Sequence, residues 1–173
     1  GQPLIQVKVV KKYYRQPAGL LEKLLARKQD RIVYAVDRVS FDIYPGETLG
    51  LVGESGCGKS TLGRVIIQLH EATEGQILYR NQDVTKLRGK ELHEYRKRVQ
   101  IIFQNPYASL NPRKTVREIL RVALQQRGLT DFVEQEKELI RLLDRVGLSK
   151  RHLDQYPHQF SGGQRQRIGI ARA

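Results

Sequence analysis

The spacing of apolar residues changes along the chain and separates a strand-rich part from a helical part. Alternating or short continuous apolar runs predict strands at residues 4–10, 33–43, 48–52, 76–79 and 99–103. Pro45 and Gly46 predict a turn before the third of these strands. Helices are predicted between the strands, at 62–69 and 86–98. The first part of the sequence therefore predicts an α/β fold.

After residue 103 the apolar residues recur at spacings of three and four, which is typical of amphipathic helices. Two stripes predict helices at 115–126 and 131–146: Val116, Ile119, Leu120, Ala123 and Leu124 in the first, and Leu139, Ile140, Leu143 and Val146 in the second. Gly128 and Gly147 predict the ends of these helices. Ser161 is a good N-cap and predicts a last helix with Ile168 and Ala171 on one face.

One segment of the strand-rich part does not fit the strand pattern. Residues 15–31 carry Leu20, Leu21, Leu24 and Leu25 between basic flanks, which indicates a short amphipathic helix. Two roles stay open for it: an insertion packed on its own domain, or a contact with a membrane surface.

The candidate chemistry begins between the run at 48–52 and the helix at 62–69. This stretch matches the phosphate-loop pattern G-x-x-x-x-G-K-[ST] in full, with Gly53, Glu54, Ser55, Gly56, Cys57, Gly58, Lys59, Ser60 and Thr61. Glycines allow close backbone approach, and backbone N–H groups at a helix start attract anions. Lys59 is expected to reach the β- and γ-phosphates, and the Ser60 hydroxyl to ligate magnesium. The motif therefore predicts a site for a nucleoside triphosphate with Mg²⁺.

A second motif narrows the class of nucleotide-binding protein. Phe160 is followed by Ser161, Gly162, Gly163 and Gln164, and this resembles the signature motif of ABC-type ATPases. The apolar run ending in Gln104 resembles the Q-loop of that family, which implies that Gln104 senses magnesium and the γ-phosphate. Tyr13 stands where the family places an aromatic residue that stacks on adenine. The resemblance implies ATP as the nucleotide.

Two further segments, residues 103–113 and 156–159, resemble the ATP-binding subunits of oligopeptide, dipeptide and nickel importers. The resemblance implies a peripheral protein on the cytoplasmic face of the inner membrane, with membrane-spanning permease subunits as partners. It also implies a second ATP-binding subunit, identical or different, with each ATP held between one subunit's phosphate loop and the other's Ser161, Gly162, Gly163 and Gln164. The sequence leaves the cargo open among oligopeptide, dipeptide, nickel and sugar.

The resemblance also implies three regions within one partial ABC ATPase domain. Residues 1–103 would form an antiparallel β subdomain and the phosphate-loop core, 104–160 the Q-loop and a helical subdomain, and 161–173 the signature motif and its helix. In the family, the strand with the Walker B aspartate and catalytic glutamate comes next, and a switch histidine later. We therefore expect an incomplete central sheet in residues 1–173, and ATP binding without efficient hydrolysis by these residues alone.

The formal net charge of +13 favours an anionic partner such as nucleic acid or a membrane surface. The basic residues are spread along the chain, however, and no aromatic platform of the kind single-strand binders use accompanies them. We expect no specific nucleic-acid partner; the alternative is a non-transport ABC ATPase that acts on nucleic acid or ribosomes. Cys57 is the one cysteine, so an internal disulfide is excluded and a reducing compartment is expected.

Overall fold

The computed structural model describes residues 1–16, 31–54, 56 and 58–173, and these residues group into two units, Gly1–Val99 and Gln100–Ala173. The boundary between the units falls close to the change of apolar spacing at residue 103. The predicted amphipathic segment with Leu20, Leu21, Leu24 and Leu25 lies outside the described residues.

The first unit contains a four-stranded antiparallel sheet. Strand β1 (Ile5–Gln16) lies between β2 (Arg31–Ile43) and β3 (Glu74–Tyr79), and β4 (Gln82–Asp83) pairs with β3. Arg80 and Asn81 connect β3 to β4 with positive φ at both residues, as a two-residue hairpin turn requires. The predicted strands at 4–10, 33–43 and 76–79 are confirmed.

Two helices complete the first unit, α1 (Lys59–Ile66) and α2 (Gly89–Arg98). They cover a core built from the buried side chains of both the sheet and the helices: Ile5, Val7, Val10, Val36, Leu62, Val65, Ile77, Val84 and Tyr95. The Tyr95 hydroxyl donates a hydrogen bond of 2.6 Å to the Ile66 carbonyl, which joins the two helices. Burial raises the pKa of Tyr95, so the phenol stays neutral at physiological pH.

Two predicted strands are wrong. Residues 48–52 and 99–103 form no strand, and the first segment is not buried: Leu49, Leu51 and Val52 are 42, 49 and 93% exposed. A strand is stable only when its backbone exchanges hydrogen bonds with a neighbour, and no strand of the described residues pairs with either segment. An apolar run is therefore insufficient to make a strand where none of the described strands pairs with it.

The second unit is helical. It contains α3 (Pro106–Ser109), α4 (Val116–Gln126), α5 (Phe132–Arg145) and α6 (Gly162–Arg172), with 3₁₀ turns at Lys150–His152 and Pro157–Gln159. Helix α4 begins with a capping box between Thr115 and Glu118, and Asp131 caps α5. The predicted helices at 115–126 and 131–146 are thus confirmed. No helix of the described residues is long and apolar enough to cross a membrane.

The predicted apolar stripes meet in the core of the second unit. Twelve residues are buried there: Leu110, Val116, Ile119, Leu120, Leu124, Leu139, Leu143, Leu148, Leu153, Phe160, Ile168 and Ala171. Ile168 and Ala171 lie on one face of α6, as predicted. The core therefore fixes α6, and with it the start of the signature motif, against α4 and α5.

Arg117 adds a polar link between the elements of the second unit. Its guanidinium donates to Asp154 at 2.7 Å, beyond the Lys150–His152 turn, and to Glu136 on α5. The hydrogen bond from Arg117 lowers the pKa of Asp154 below its ordinary value of 3.8. The link ties α4 to both α5 and the segment that leads to the signature motif.

Candidate nucleotide-binding site

The phosphate loop ends where α1 begins, and Gly58 makes this junction. Gly58 has a φ of 95°, in the left-handed region, and a Cβ at this position would lie 1.9 Å from the Ala35 carbonyl oxygen. Helix α1 has no side-chain cap and no acidic residue in its first turn. The first backbone N–H groups of a helix point out of its end, which is the arrangement that binds anions.

Lys59 lies across the loop. Its Nζ donates hydrogen bonds to the carbonyl oxygens of Gly53 at 2.5 Å and Glu54 at 2.6 Å. The ammonium is thus held at the loop itself rather than extended into solvent. Ser60 is exposed in the first turn of α1, and the next residue, Thr61, is half-buried. The predicted site residues Ser55 and Cys57 lie outside the described residues.

These groups fit a magnesium–nucleoside triphosphate. An ammonium and a helix start supply positive charge for phosphate oxygens, and the exposed Ser60 hydroxyl is an oxygen ligand of the kind Mg²⁺ prefers. Among the described residues no group of three or more His, Cys, Asp or Glu side chains is placed to hold a metal.

Tyr13 lies on β1 opposite Tyr34 of β2, and their ring centroids are 4.6 Å apart in an edge contact. The Tyr13 hydroxyl donates to Asp37 Oδ1 at 2.6 Å. That hydrogen bond raises the pKa of Tyr13 to about 12. Tyr34 and Asp37 were not predicted as site residues, because the register that places them beside Tyr13 contains bulges that alternation does not reveal.

One of these bulges lies where β2 meets the end of the phosphate loop. Lys12 pairs with Val36 and Tyr13 with Tyr34, so Ala35 is an extra residue on β2. Ala35 is also the residue that Gly58 approaches. The start of α1 therefore packs against Ala35 and Val36 of β2, whereas the Tyr13 side chain alternates to the other face of the sheet from Lys12, the partner of Val36.

The signature motif forms the start of α6. Ser161 accepts a hydrogen bond from the Gln164 N–H at 3.2 Å, and Gln164 Oε1 accepts from the Ser161 N–H at 3.0 Å. This capping box confirms the predicted N-cap and places Gly162 and Gly163 in the first turn. A Cβ on Gly163 would meet nothing within 4 Å.

Gln104 is exposed and precedes Asn105, whose side chain caps α3. Tyr107, two residues after Asn105, reaches the signature motif. Its hydroxyl lies 3.5 Å from the position that a Cβ on Gly162 would take. The Arg165 guanidinium stacks over the Tyr107 ring at 4.3 Å from the centroid. The second unit therefore brings the segment after Gln104 against the signature helix.

A phosphate loop that starts a helix beside an antiparallel sheet, followed by a helical unit with a Ser-Gly-Gly-Gln helix start, defines an ATP-binding cassette. Comparison with known families agrees, since the ABC transporter family matches residues 36–173. The chain belongs to the ABC transporter family, and the resemblance read from its motifs is confirmed.

The chain is most informatively compared with relatives that carry a curated name. The chain is 48% identical over 174 residues to the oligopeptide transport ATP-binding protein OppF of Bacillus subtilis (strain 168), covering 99% of this chain and 53% of that protein. The oligopeptide transport ATP-binding protein AppF of the same strain is 47% identical over 173 residues, covering 99% of this chain and 51% of its own length. The chain thus spans about half the length of these relatives.

Solved structures agree with the fold. The dimeric post-hydrolysis structure of the ATP-binding cassette MJ0796, bound to ADP and Pi, matches with a TM-score of 0.79 and 31% identity, over 97% of this chain and 68% of that one. The predicted α/β cassette fold is therefore confirmed.

Proposed function

We propose that the intact protein binds and hydrolyses MgATP to power the import of peptides or related small solutes through a membrane permease. The observation that carries the proposal is the phosphate loop, where the Lys59 ammonium lies across the loop at the start of α1 and Gly58 closes against β2. Relatives named as oligopeptide and dipeptide transport ATP-binding proteins support the choice of peptides.

Within the site, Lys59 and the first N–H groups of α1 bind the phosphates, and Tyr13 stacks on adenine. Ser60 and Gln104 are the magnesium ligands we propose. Magnesium, when bound, neutralises charge on the phosphates. The protein's own contribution is to hold the triphosphate in one position, which is the larger part of catalysis in phosphoryl transfer.

The signature motif serves a second ATP-binding subunit, identical or different. Ser161, Gly162, Gly163 and Gln164 start a helix whose first turn carries little side-chain bulk, so a phosphate of the partner's ATP can approach the backbone. The dimeric cassette structures of MJ0796 support this arrangement. Permease subunits are the further partners, and the protein then works peripherally at the cytoplasmic face of the membrane.

Action on nucleic acid is the weaker candidate. The net charge of +13 favours it, whereas the named relatives are transport and import proteins. Affinity for DNA that falls steeply with salt, at concentrations where MgATP binding is unchanged, would favour the nucleic-acid role instead.

The experiment that tests the proposed site is calorimetric titration of the full-length protein with MgATP. Lys59→Ala removes a charged hydrogen-bond donor to phosphate, which contributes roughly 1.5–3 kcal/mol, so we expect the affinity to fall at least tenfold. Lys90→Ala, an exposed lysine of α2, is the matched control and should bind as the wild type does. Equal affinities for all three proteins would refute the site.

A further inference from the structure

An exposed aromatic ring lies against the start of the signature helix, and the proposed function gives it no role. Tyr107 on α3 is 63% exposed, yet its hydroxyl and two ring carbons lie 3.5, 3.8 and 3.9 Å from the position that a Cβ on Gly162 would take. Gly162 is half-buried, whereas Gly163 is exposed, and no described residue lies within 4 Å of its Cβ position. Tyr107 therefore covers one side of the first turn of α6 and leaves the side of Gly163 open.

Arg165 joins this ring to the segment that precedes the helix. Its guanidinium lies over the Tyr107 ring at 4.3 Å from the centroid, and its Nε donates a hydrogen bond of 3.1 Å to the Phe160 carbonyl. Because a guanidinium is planar, its face can stack on a ring while its edge donates. Phe160 is buried in the core of the second unit and directly precedes the N-cap residue Ser161. The arginine thus connects Tyr107 to the point at which the chain enters α6.

We propose that Tyr107 and Arg165 are positioning residues, which hold the start of α6 in the orientation that receives the ATP of the partner subunit. The inference rests on the proposed function, since it assumes that the signature motif serves a second ATP-binding subunit. It adds the contact that sets the direction of the motif and the segment that anchors it.

Helix α3 is fixed to α6 at both of its ends. At its start the Tyr107 ring lies against α6, and the Tyr107 N–H donates to the Oδ1 of the capping Asn105 at 2.9 Å. At its end the Ser109 carbonyl accepts a hydrogen bond from the guanidinium of Arg172, in the last turn of α6. Gln104 directly precedes the cap of α3. The signature helix is therefore tied to the segment that follows Gln104, and Tyr107 makes this link at the end where the signature motif lies.

These contacts are suited to orienting the first turn of α6 rather than to stabilising the fold. The body of the helix is held by the core of the second unit, through Ile168 and Ala171. Tyr107 contributes little to that core because it is exposed, and a cation–π contact at an exposed site is weak. Loss of the Tyr107 ring should therefore loosen the start of α6 while the unit stays folded.

The test compares two properties of the full-length protein: its own affinity for MgATP and its ATP-dependent association with a second ATP-binding subunit. The second subunit is a further copy where the wild type self-associates, and otherwise the different ATP-binding subunit that co-purifies in the transport complex. Tyr107→Ala should weaken the association about two- to fivefold, which corresponds to the loss of one exposed cation–π contact. Its affinity for MgATP should be unchanged, measured by equilibrium dialysis at protein concentrations below those of association, because the phosphate loop is intact.

Two further variants and a control isolate the stacked pair. Tyr107→Phe keeps the ring and should associate as the wild type does. In a double-mutant cycle of Tyr107→Ala with Arg165→Ala, the double variant should lose less than the product of the two single effects. Phe132→Ala is the matched control, because Phe132 is also 63% exposed and lies under a guanidinium of the same unit, that of Arg121 at 4.8 Å. It should change neither association nor MgATP affinity.

The outcomes separate this inference from the proposed function. If Gly163→Ala weakens ATP-dependent association and Tyr107→Ala does not, the signature motif keeps its role and Tyr107 has no positioning role. Equal losses of MgATP affinity and association in Tyr107→Ala would show a general structural defect and overturn the inference. Additive effects in the cycle, an equal loss in Tyr107→Phe or a similar loss in Phe132→Ala would overturn it too. If the wild type binds MgATP but associates with neither subunit, the proposed pairing fails, and this inference with it.

Discussion

Gly58 and Ala35 lie so close that no side chain fits between them: a Cβ on Gly58 would be 1.9 Å from the Ala35 carbonyl oxygen. The contact joins the start of the phosphate-binding helix to the bulge of β2. Gly58, the last glycine of the phosphate loop, is therefore required by the packing of the protein itself, before any ligand is considered.

Gly58→Ala should destabilise the first unit by about 2–5 kcal/mol, since a left-handed backbone costs about 1–2 kcal/mol and overpacking about 1–3 kcal/mol. The measurement is the free energy of unfolding from urea denaturation. Gly46→Ala is the control for backbone strain alone, because Gly46 has a φ of 76° with nothing within 4 Å of its Cβ position. Equal losses in the two variants would show that the contact with Ala35 relaxes without cost.

The cysteine of the phosphate loop gives a chemical probe of occupancy. Cys57 lies between Gly56 and Gly58, so a bulky reagent on its thiol should block nucleotide binding, and bound MgATP should slow the labelling. The rate of labelling with and without saturating MgATP is measured by mass spectrometry. Labelling at the same rate in both conditions would count against Cys57 lining the site.

Stability of the second unit should depend on pH through Asp154. The hydrogen bond from Arg117 lowers the pKa of Asp154 in the folded protein. In acid the folded protein therefore binds fewer protons at this carboxylate than the unfolded chain does. The stabilisation is fully present above the ordinary pKa of 3.8 and is lost as pH falls through the lower folded value. Acid titration of the unfolding free energy measures it.

Asp154→Asn should flatten this acid dependence and lower stability at neutral pH, while Asp144→Asn, at another exposed aspartate of the second unit, should leave stability at neutral pH unchanged. An acid titration of Asp154→Asn that overlays the wild type would show that the link to Arg117 contributes nothing to stability.

The helical unit was predictable from sequence because its signals are local. The stripe around Leu120 and the stripe around Leu139 recur with the helical period, and Thr115, Asp131 and Ser161 each stand where a helix begins. Helix formation depends on residues three and four apart, so a single sequence carries the necessary information.

The strands and the base site depend on partners far away in sequence, and these were predicted less well. Residues 48–52 have the apolar character of a strand, yet no neighbour among the described strands pairs with them. Tyr34 and Asp37 meet Tyr13 through a register that shifts at Ala35. A shift of one residue changes which side chains share a face, and alternation along one strand does not fix it.

Ser161 should stabilise α6 through its cap. Ser161→Ala removes the acceptor for the Gln164 N–H and should cost about 1 kcal/mol, whereas Ser161→Asn keeps a capping oxygen and should cost little. Thermal unfolding of the two variants measures the difference. Equal losses in both would mean that the serine acts through something other than its capping oxygen.

The glycines of the signature motif should be more important for assembly than for folding. A Cβ on Gly163 would meet nothing within 4 Å, and glycine in a helix costs roughly 0.5–1 kcal/mol relative to alanine. Gly163→Ala should therefore fold at least as stably as the wild type. If a partner's ATP approaches this backbone, the same change should weaken ATP-dependent self-association of the full-length protein, measured by analytical ultracentrifugation.

Gly169→Ala is the control in the same helix, since its Cβ position is also open and lies two turns from the helix start. It should share the gain in stability without the loss of association. Unchanged association in Gly163→Ala would show that no ligand approaches the start of α6.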